Sequence, residues 1–241
     1  MTTTGEILTQ RSIAKTCRVC GGPFDLDYPT LANFVHVCPA CSDRQTEQDQ
    51  RELVLRSANM RAEAWRRICP ADFLDTQPHK LPRPSLLQRV LSWQYGPHGL
   101  LLHGETGLGK SRCAWKLLER EHKSGRSVRA LDAKAALDYG ALFAKSCDVP
   151  NDWLDRLINA DVLLFDDVFK SRLTDSFEQA LFVIVTQRTE QKRPLLVTCN
   201  DVGDSLLVRM SPDRGPALIR RLREFTQDVA FEYSLVLANC A

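Results

Sequence analysis

Residues 103–111 read HGETGLGKS. Within them, Gly104 to Ser111 fits the spacing G-x-x-x-x-G-K-[ST]. Glycines at such positions let backbone N–H groups curl around phosphate oxygens, and the start of a helix adds positive dipole. The stretch therefore predicts a phosphate cradle formed by Gly104, Glu105, Thr106, Gly107, Leu108, Gly109, Lys110 and Ser111. Lys110 would reach the β- and γ-phosphates of ATP, and Ser111 would ligate Mg²⁺. The surroundings agree. GLLLHG (99–104) is a short apolar run of buried-strand type, and residues 110–124 read as a helix ending at Gly125, with His122 and Lys123 suited to its last turn.

Outward from this loop, strand and helix patterns alternate. Strands are expected at 127–133, 161–167, 194–200 and 228–237, and helices at 134–145, 151–159 and 175–191, the last from the spacing of Phe177, Leu181, Ile184 and Val185. Alternation of this kind implies an α/β fold with a parallel sheet covered on both faces.

A phosphate loop needs a carboxylate nearby. Val162–Phe165 is wholly apolar and leads into Asp166 and Asp167. Such a strand would lie centrally, with its acidic end beside the loop. Asp166 would hold Mg²⁺ through water, and Asp167 would orient or deprotonate the attacking water. The strand at 194–200 ends in Thr198 and Asn200, and a polar residue at that tip would sense the γ-phosphate. The segment 217–224, ALIRRLRE, carries Arg220, Arg221 and Arg223; for Arg220 and Arg223 a solvated helix face is expected.

The N-terminal zone differs. Cys17-x-x-Cys20 and Cys38-x-x-Cys41 are two knuckles separated by seventeen residues, a spacing that fits a structural four-thiolate Zn²⁺ site. An iron–sulfur cluster is the chemical alternative. His36 is not expected to ligate, because four cysteines complete the tetrahedron. So small a zone has little core, and metal ligation would supply the missing stability. The other cysteines, Cys69, Cys113, Cys147, Cys199 and Cys240, are expected as small buried apolar residues. Three domains are expected: 1–45, a zinc-ribbon-like module; 46–85, a helical and then Pro-rich connector; and 86–241, the nucleotide domain. Prolines 70, 78, 82 and 84 predict an extended run before residue 86.

Composition fits this plan. Of 241 residues, 44% are hydrophobic and 26% charged, and the net charge is +2, so any DNA contact must come from a local patch rather than a basic domain. No apolar run predicts a membrane span and the N-terminal stretch has no apolar signal core, so a cytoplasmic protein without membrane association is expected.

From ICPADFLDT (68–76) through the last strand, the chain resembles the AAA+ ATPases of the bacterial and phage helicase-loader type (DnaC and DnaI) and the related IstB transposition helpers. The resemblance rests on GETGLGKS, LINADVLLFDDV, EQALFVIVTQRTEQKRPLLVTCN and ALIRRLRE. It implies that Asn200 is a sensor-1 residue and Arg221 an arginine finger reaching a neighbouring subunit's nucleotide, hence a homo-oligomer. It implies an ATPase, stimulated by assembly or DNA, that loads a replicative DNA helicase onto single-stranded DNA; slow hydrolysis is expected from Asp167, one methylene shorter than the Glu often found at that position. The small N-terminal module would grip the helicase. An IstB-like regulator of transposition, or an adaptor with a non-hydrolysing site, are the alternatives. Two departures stand out: no helical lid is expected after the last strand, and FEYSLVL supplies no sensor-2 arginine. Lys134, Lys145, Arg156, Lys170 and Arg172 are the sparse basic candidates for DNA contact.

Overall fold

The computed structural model describes residues 12–135, 151–170, 173–201 and 204–232. Lys145, Cys147, Arg172 and Cys240 lie outside these residues, as do residues 136–145 of one expected helix and 233–237 of the last expected strand. The chain divides into two compact units between Met60 and Arg61.

In the first unit, β1 (Ile13–Thr16) and β2 (Pro23–Leu26) form an antiparallel hairpin. The turn between them holds the first cysteine knuckle, and Gly21 takes a positive φ of 72° there. The second knuckle runs into the helix α1 (Pro39–Ile68), which contributes to both units. Pro39 suits a helix start because its missing N–H would have no partner there. Beyond Cys41, the helix in this unit is almost wholly exposed. It relies on strong helix formers and on side-chain pairs one turn apart, such as Arg51 with Glu47 at 3.7 Å and Gln48 with Glu52 at 3.0 Å.

The second unit is built on five parallel strands in the order β4-β5-β6-β3-β7. These are β3 (Gly99–Gly104), β4 (Val128–Asp132), β5 (Val162–Asp166), β6 (Leu195–Cys199) and β7 (Thr226–Phe231). Alternation along the strands splits the core into two layers. Leu101, Leu163, Phe165, Leu195 and Val197 pack on one face of the sheet; Leu100, Leu102, Val162, Leu164 and Leu196 belong to the other layer. The first layer is closed by α5 (Asn151–Asn159), α6 (Asp175–Glu190), the short α7 (Asp204–Leu207) and α8 (Gly215–Phe225). The second is closed by α3 (Pro84–Leu91) and α4 (Lys110–Lys123).

The stretch after α1 is not an extended spacer. The prolines do interrupt long helix, but the residues between them form α2 (Ala71–Leu74) and a short 3-10 turn (Pro78–Lys80), and Pro84 opens α3. Trp65, Cys69 and Leu81 are buried in the second core layer. Apolar residues spaced between helix breakers are thus drawn onto the sheet's helical cover, where their burial outweighs the freedom an open chain would keep.

One buried cation fixes the far face. Arg188, on α6, has no exposed surface and donates to the carbonyls of Leu157, Ile158, Ala160, Asp161 and Pro194 at 2.7–3.3 Å. These include carbonyls left free at the C-terminal end of α5. Burial pulls its pKa down to about 9, with Arg193 adding repulsion, so the guanidinium is still charged at neutral pH.

Candidate functional site

The C-terminal ends of β3, β5 and β6 converge, with β6 between the other two. In parallel α/β sheets this edge is where ligands bind. The loop after β3 turns tightly. Gly104 has φ 119°, and a Cβ there would stand 2.2 Å from the Phe231 carbonyl oxygen of the adjacent β7. Gly109 caps α4 in the left-handed region at φ 89°, with Leu81 2.9 Å from any Cβ. A side chain is therefore excluded at Gly104 by space as well as by φ, and at Gly109 chiefly by φ. Leu108, 2% exposed, pins the loop to the core instead of facing solvent. Glu105 is exposed, and its N–H donates to Phe231 O at 2.9 Å.

A cleft of about 360 Å³ opens above the loop. Thr106, Gly107, Gly109, Lys110 and Ser111 line it from the loop and α4, Asp167 and Asn200 from the strand tips, and Phe73, Pro82 and Arg112 from the side. The loop, the second aspartate and the asparagine expected from the sequence are thus brought together. Lys110 is 6% exposed and donates from Nζ to the carbonyls of Gly104 at 2.7 Å and Glu105 at 2.8 Å. Burial lowers its pKa, opposed by the negative charge of Asp167 and by Cys199.

Asp166 stands behind the cleft lining, 7% exposed. It pairs in register with Thr198, whose Oγ1 donates to Asp166 Oδ1 at 2.7 Å. The Trp115 indole Nε1 donates to Oδ2 at 2.8 Å. Each oxygen keeps a further lone pair for a metal-bound water. Asp167 follows in the left-handed region, φ 52°, with its N–H donating to Thr198 Oγ1 at 3.0 Å. Burial raises its pKa and the neighbouring Asp166 adds to this, against Lys110 and Lys170. A half-buried carboxylate of raised basicity, facing a cationic loop, is suited to take a proton from water.

Arg209 was not singled out in the sequence. It pairs with Asp201 at 2.5 Å and donates to the carbonyls of Phe169 at 2.7 Å and Lys170 at 3.0 Å. It thereby ties the loop after Asn200 to the turn after Asp167. Phe73, Arg112, Trp115 and Arg209 carry no motif; only the fold assembles them around the cleft. Arg221 does not line this cleft: its guanidinium lies 5.1 Å from the ring centroid of Phe182 on α6. Arg220 is exposed and pairs with Glu224 at 3.8 Å, and Arg223 is exposed. Lys134 and Lys170 are exposed, and Arg156 pairs with Asp152 on its own helix.

In the first unit, Cys17, Cys20, Cys38 and Cys41 place their sulfurs within 4.8 Å of one another, with Cys20 and Cys38 at 3.9 Å. A ZnS₄ tetrahedron with Zn–S about 2.3 Å has sulfur–sulfur edges of about 3.8 Å, so the set fits. Backbone N–H groups favour the Cys17 thiolate, chiefly that of Cys38 at 3.3 Å, and draw its pKa down to about 6. Cys41 is held up at about 12 by the Cys38 side chain and by burial. His36 is not part of the cluster. Among the described residues, no helix is long and apolar enough to cross a membrane.

No protein-family model and no curated protein matches the sequence. Solved structures do match. The DnaI structure aligns with a TM-score of 0.52 at 17% identity, covering 70% of this chain and 93% of that one. The DnaC helicase loader aligns at 0.50 and 20%, covering 61% and 86%. The replication initiator DnaA bound to AMPPCP and single-stranded DNA aligns at 0.52 and 16%, covering 62% and 45%. The chain spans less than half the length of the AMPPCP-bound DnaA structures it matches. With the parallel sheet and its loop already in place, these likenesses make the architecture plain: the chain carries the α/β fold of the DnaC and DnaI structures, and it also holds a four-cysteine cluster of zinc-site geometry.

Proposed function

We propose that the chain is a Mg²⁺-dependent ATPase that loads a replicative DNA helicase onto single-stranded DNA, with a zinc module at residues 1–45 that grips the helicase. The observation that carries this reading is the cleft, in which Lys110, Ser111, Asp167 and Asn200 share one lining on the fold of the DnaI and DnaC loaders. The loop and the N-terminus of α4 bind the phosphates of ATP, with Lys110 leaving its loop carbonyls for the β- and γ-phosphates. Ser111 and Asp166 would hold magnesium, which would supply neutralisation of phosphate charge. Asn200 orients a water, and Asp167 accepts its proton as the water oxygen bonds to the γ-phosphorus. The bond from that phosphorus to the β–γ bridging oxygen breaks, leaving ADP and phosphate. Arg221 completes the site of a neighbouring copy, which makes hydrolysis depend on assembly.

Binding measurements separate the parts. Full-length protein is expected to capture the host's hexameric replicative helicase, and a variant lacking residues 1–45 to lose this while still binding ATP. Single-stranded DNA is expected to bind best with ATP and to weaken as salt rises. Indifference to the helicase, with ATP-dependent filaments on duplex DNA, would replace this function with that of a transposition helper.

A further inference from the structure

The residue least explained by a phosphate loop alone is Trp115. It lies on α4, five positions after Lys110, and is 2% exposed. A buried indole N–H requires an acceptor. Many core sites would offer a carbonyl; here the acceptor is the carboxylate of Asp166, at 2.8 Å. Thr198, with no exposed surface, donates to the other oxygen at 2.7 Å. The carboxylate is therefore gripped on both oxygens, by one donor from α4 and one from β6. Charge-assisted bonds of this kind are the stronger class and fix the plane of the group.

The indole itself has little freedom to turn. Its ring stacks on Phe73, with centroids 5.9 Å apart and planes 14° apart, and meets Trp65 edge-on at 6.1 Å. Phe73 lines the cleft. Packing thus holds the ring, and the ring holds the carboxylate.

We infer that Trp115 is a positioning residue for Asp166: its indole N–H sets the orientation in which that carboxylate receives magnesium, so it tunes the metal dependence of nucleotide binding without contacting nucleotide. This rests on the proposed nucleotide site. A purely space-filling tryptophan would need no N–H, and phenylalanine would serve equally. A positioning indole makes the N–H matter only when metal is present.

Trp115→Phe separates the two, since it keeps an aromatic ring and removes the donor. Binding of a fluorescent ATP analogue to the full chain is measured in EDTA and across a Mg²⁺ titration. The expected result is metal-free affinity within about twofold of wild type and a half-saturating Mg²⁺ concentration raised about fivefold to tenfold, as loss of one charge-assisted bond would give. A loss equal with and without Mg²⁺, or an unchanged Mg²⁺ titration, overturns the inference and leaves the nucleotide site standing. Absence of Mg²⁺-dependent nucleotide binding in wild type overturns both. Should Trp115→Phe not fold, the wild-type chain labelled with ¹⁵N-tryptophan decides: the Trp115 indole resonance is expected to shift when Mg²⁺ joins the nucleotide complex, and a resonance that stays still overturns the inference.

Discussion

Asp167 shows how one side chain carries both a cost and a function. Its burial and its neighbour Asp166 raise its pKa. The unfolded chain ionises this carboxylate more readily than the folded protein does, so above both pKa values its charge destabilises the fold. Asp167→Asn is therefore expected to raise the melting temperature while slowing ATP hydrolysis at least about 100-fold, with ATP still bound. The acid limb of wild-type hydrolysis is expected at a higher pH than an ordinary aspartate near 3.9 would give, and activity falls as pH drops through it. Calorimetry and a pH–rate profile check the two halves. The carboxylate was legible in the sequence because an apolar strand ran into it; its left-handed backbone, whose N–H bonds Thr198 on another strand, and its basicity, which comes from burial and from Asp166, were not, since both arise only in the fold.

At the scale of elements, the strand tips must stay in register for the cleft to exist. Arg209 bridges two of the loops that leave them, through Asp201 on one side and the Phe169 and Lys170 carbonyls on the other. Arg209→Ala is expected to lower kcat about tenfold with KM for ATP nearly unchanged, because the phosphate loop is not touched. Arg209→Lys should recover part of it by keeping the ion pair. A second element-level device is Arg188, which satisfies carbonyls from the end of α5 and from the start of β6. Arg188→Met would leave those carbonyls buried without donors, a loss of about 2–4 kcal/mol by denaturant titration. In the sequence Arg188 is only an arginine near the end of a helix. Its burial follows only from the packing of α5 against α6.

For the whole molecule, one expectation concerns assembly and one the cysteine unit. Arg221 packs over Phe182 of its own chain and away from its own cleft, as a residue serving another copy can. Arg221→Ala is expected to bind ATP but hydrolyse it poorly, and mixing it with Asp167→Asn should restore activity at interfaces that combine one intact half from each. Hydrolysis that stays absent in the mixture of folded variants would reduce Arg221 to a packing residue. The cysteine unit has few buried side chains besides Cys17 and Cys41, so chelation of zinc, or a Cys17→Ser/Cys38→Ser double variant, should unfold residues 12–42. Amide hydrogen exchange would show that loss locally, with nucleotide binding intact.

The sequence by itself determined what depends on neighbours along the chain. A glycine pattern followed by Lys-Ser between an apolar strand and a helix, apolar runs ending in acid or in asparagine, and paired cysteine knuckles each constrain a few consecutive residues, and all of these survive in the fold. The parallel pairing of the five strands also follows the alternation of strand and helix, though periodicity alone does not rank them in the order β4-β5-β6-β3-β7. Tertiary structure decided the rest. The proline-punctuated segment packs into the core because Cys69 and Leu81 find an apolar surface there. Asp166 rather than Asp167 is withdrawn from the cleft because Trp115, fifty-one residues away in sequence, and Thr198, thirty-two away, bring donors to it. Hydrogen bonds and burial between residues so far apart leave no periodic trace in the chain; they exist only once the sheet has placed its strands side by side.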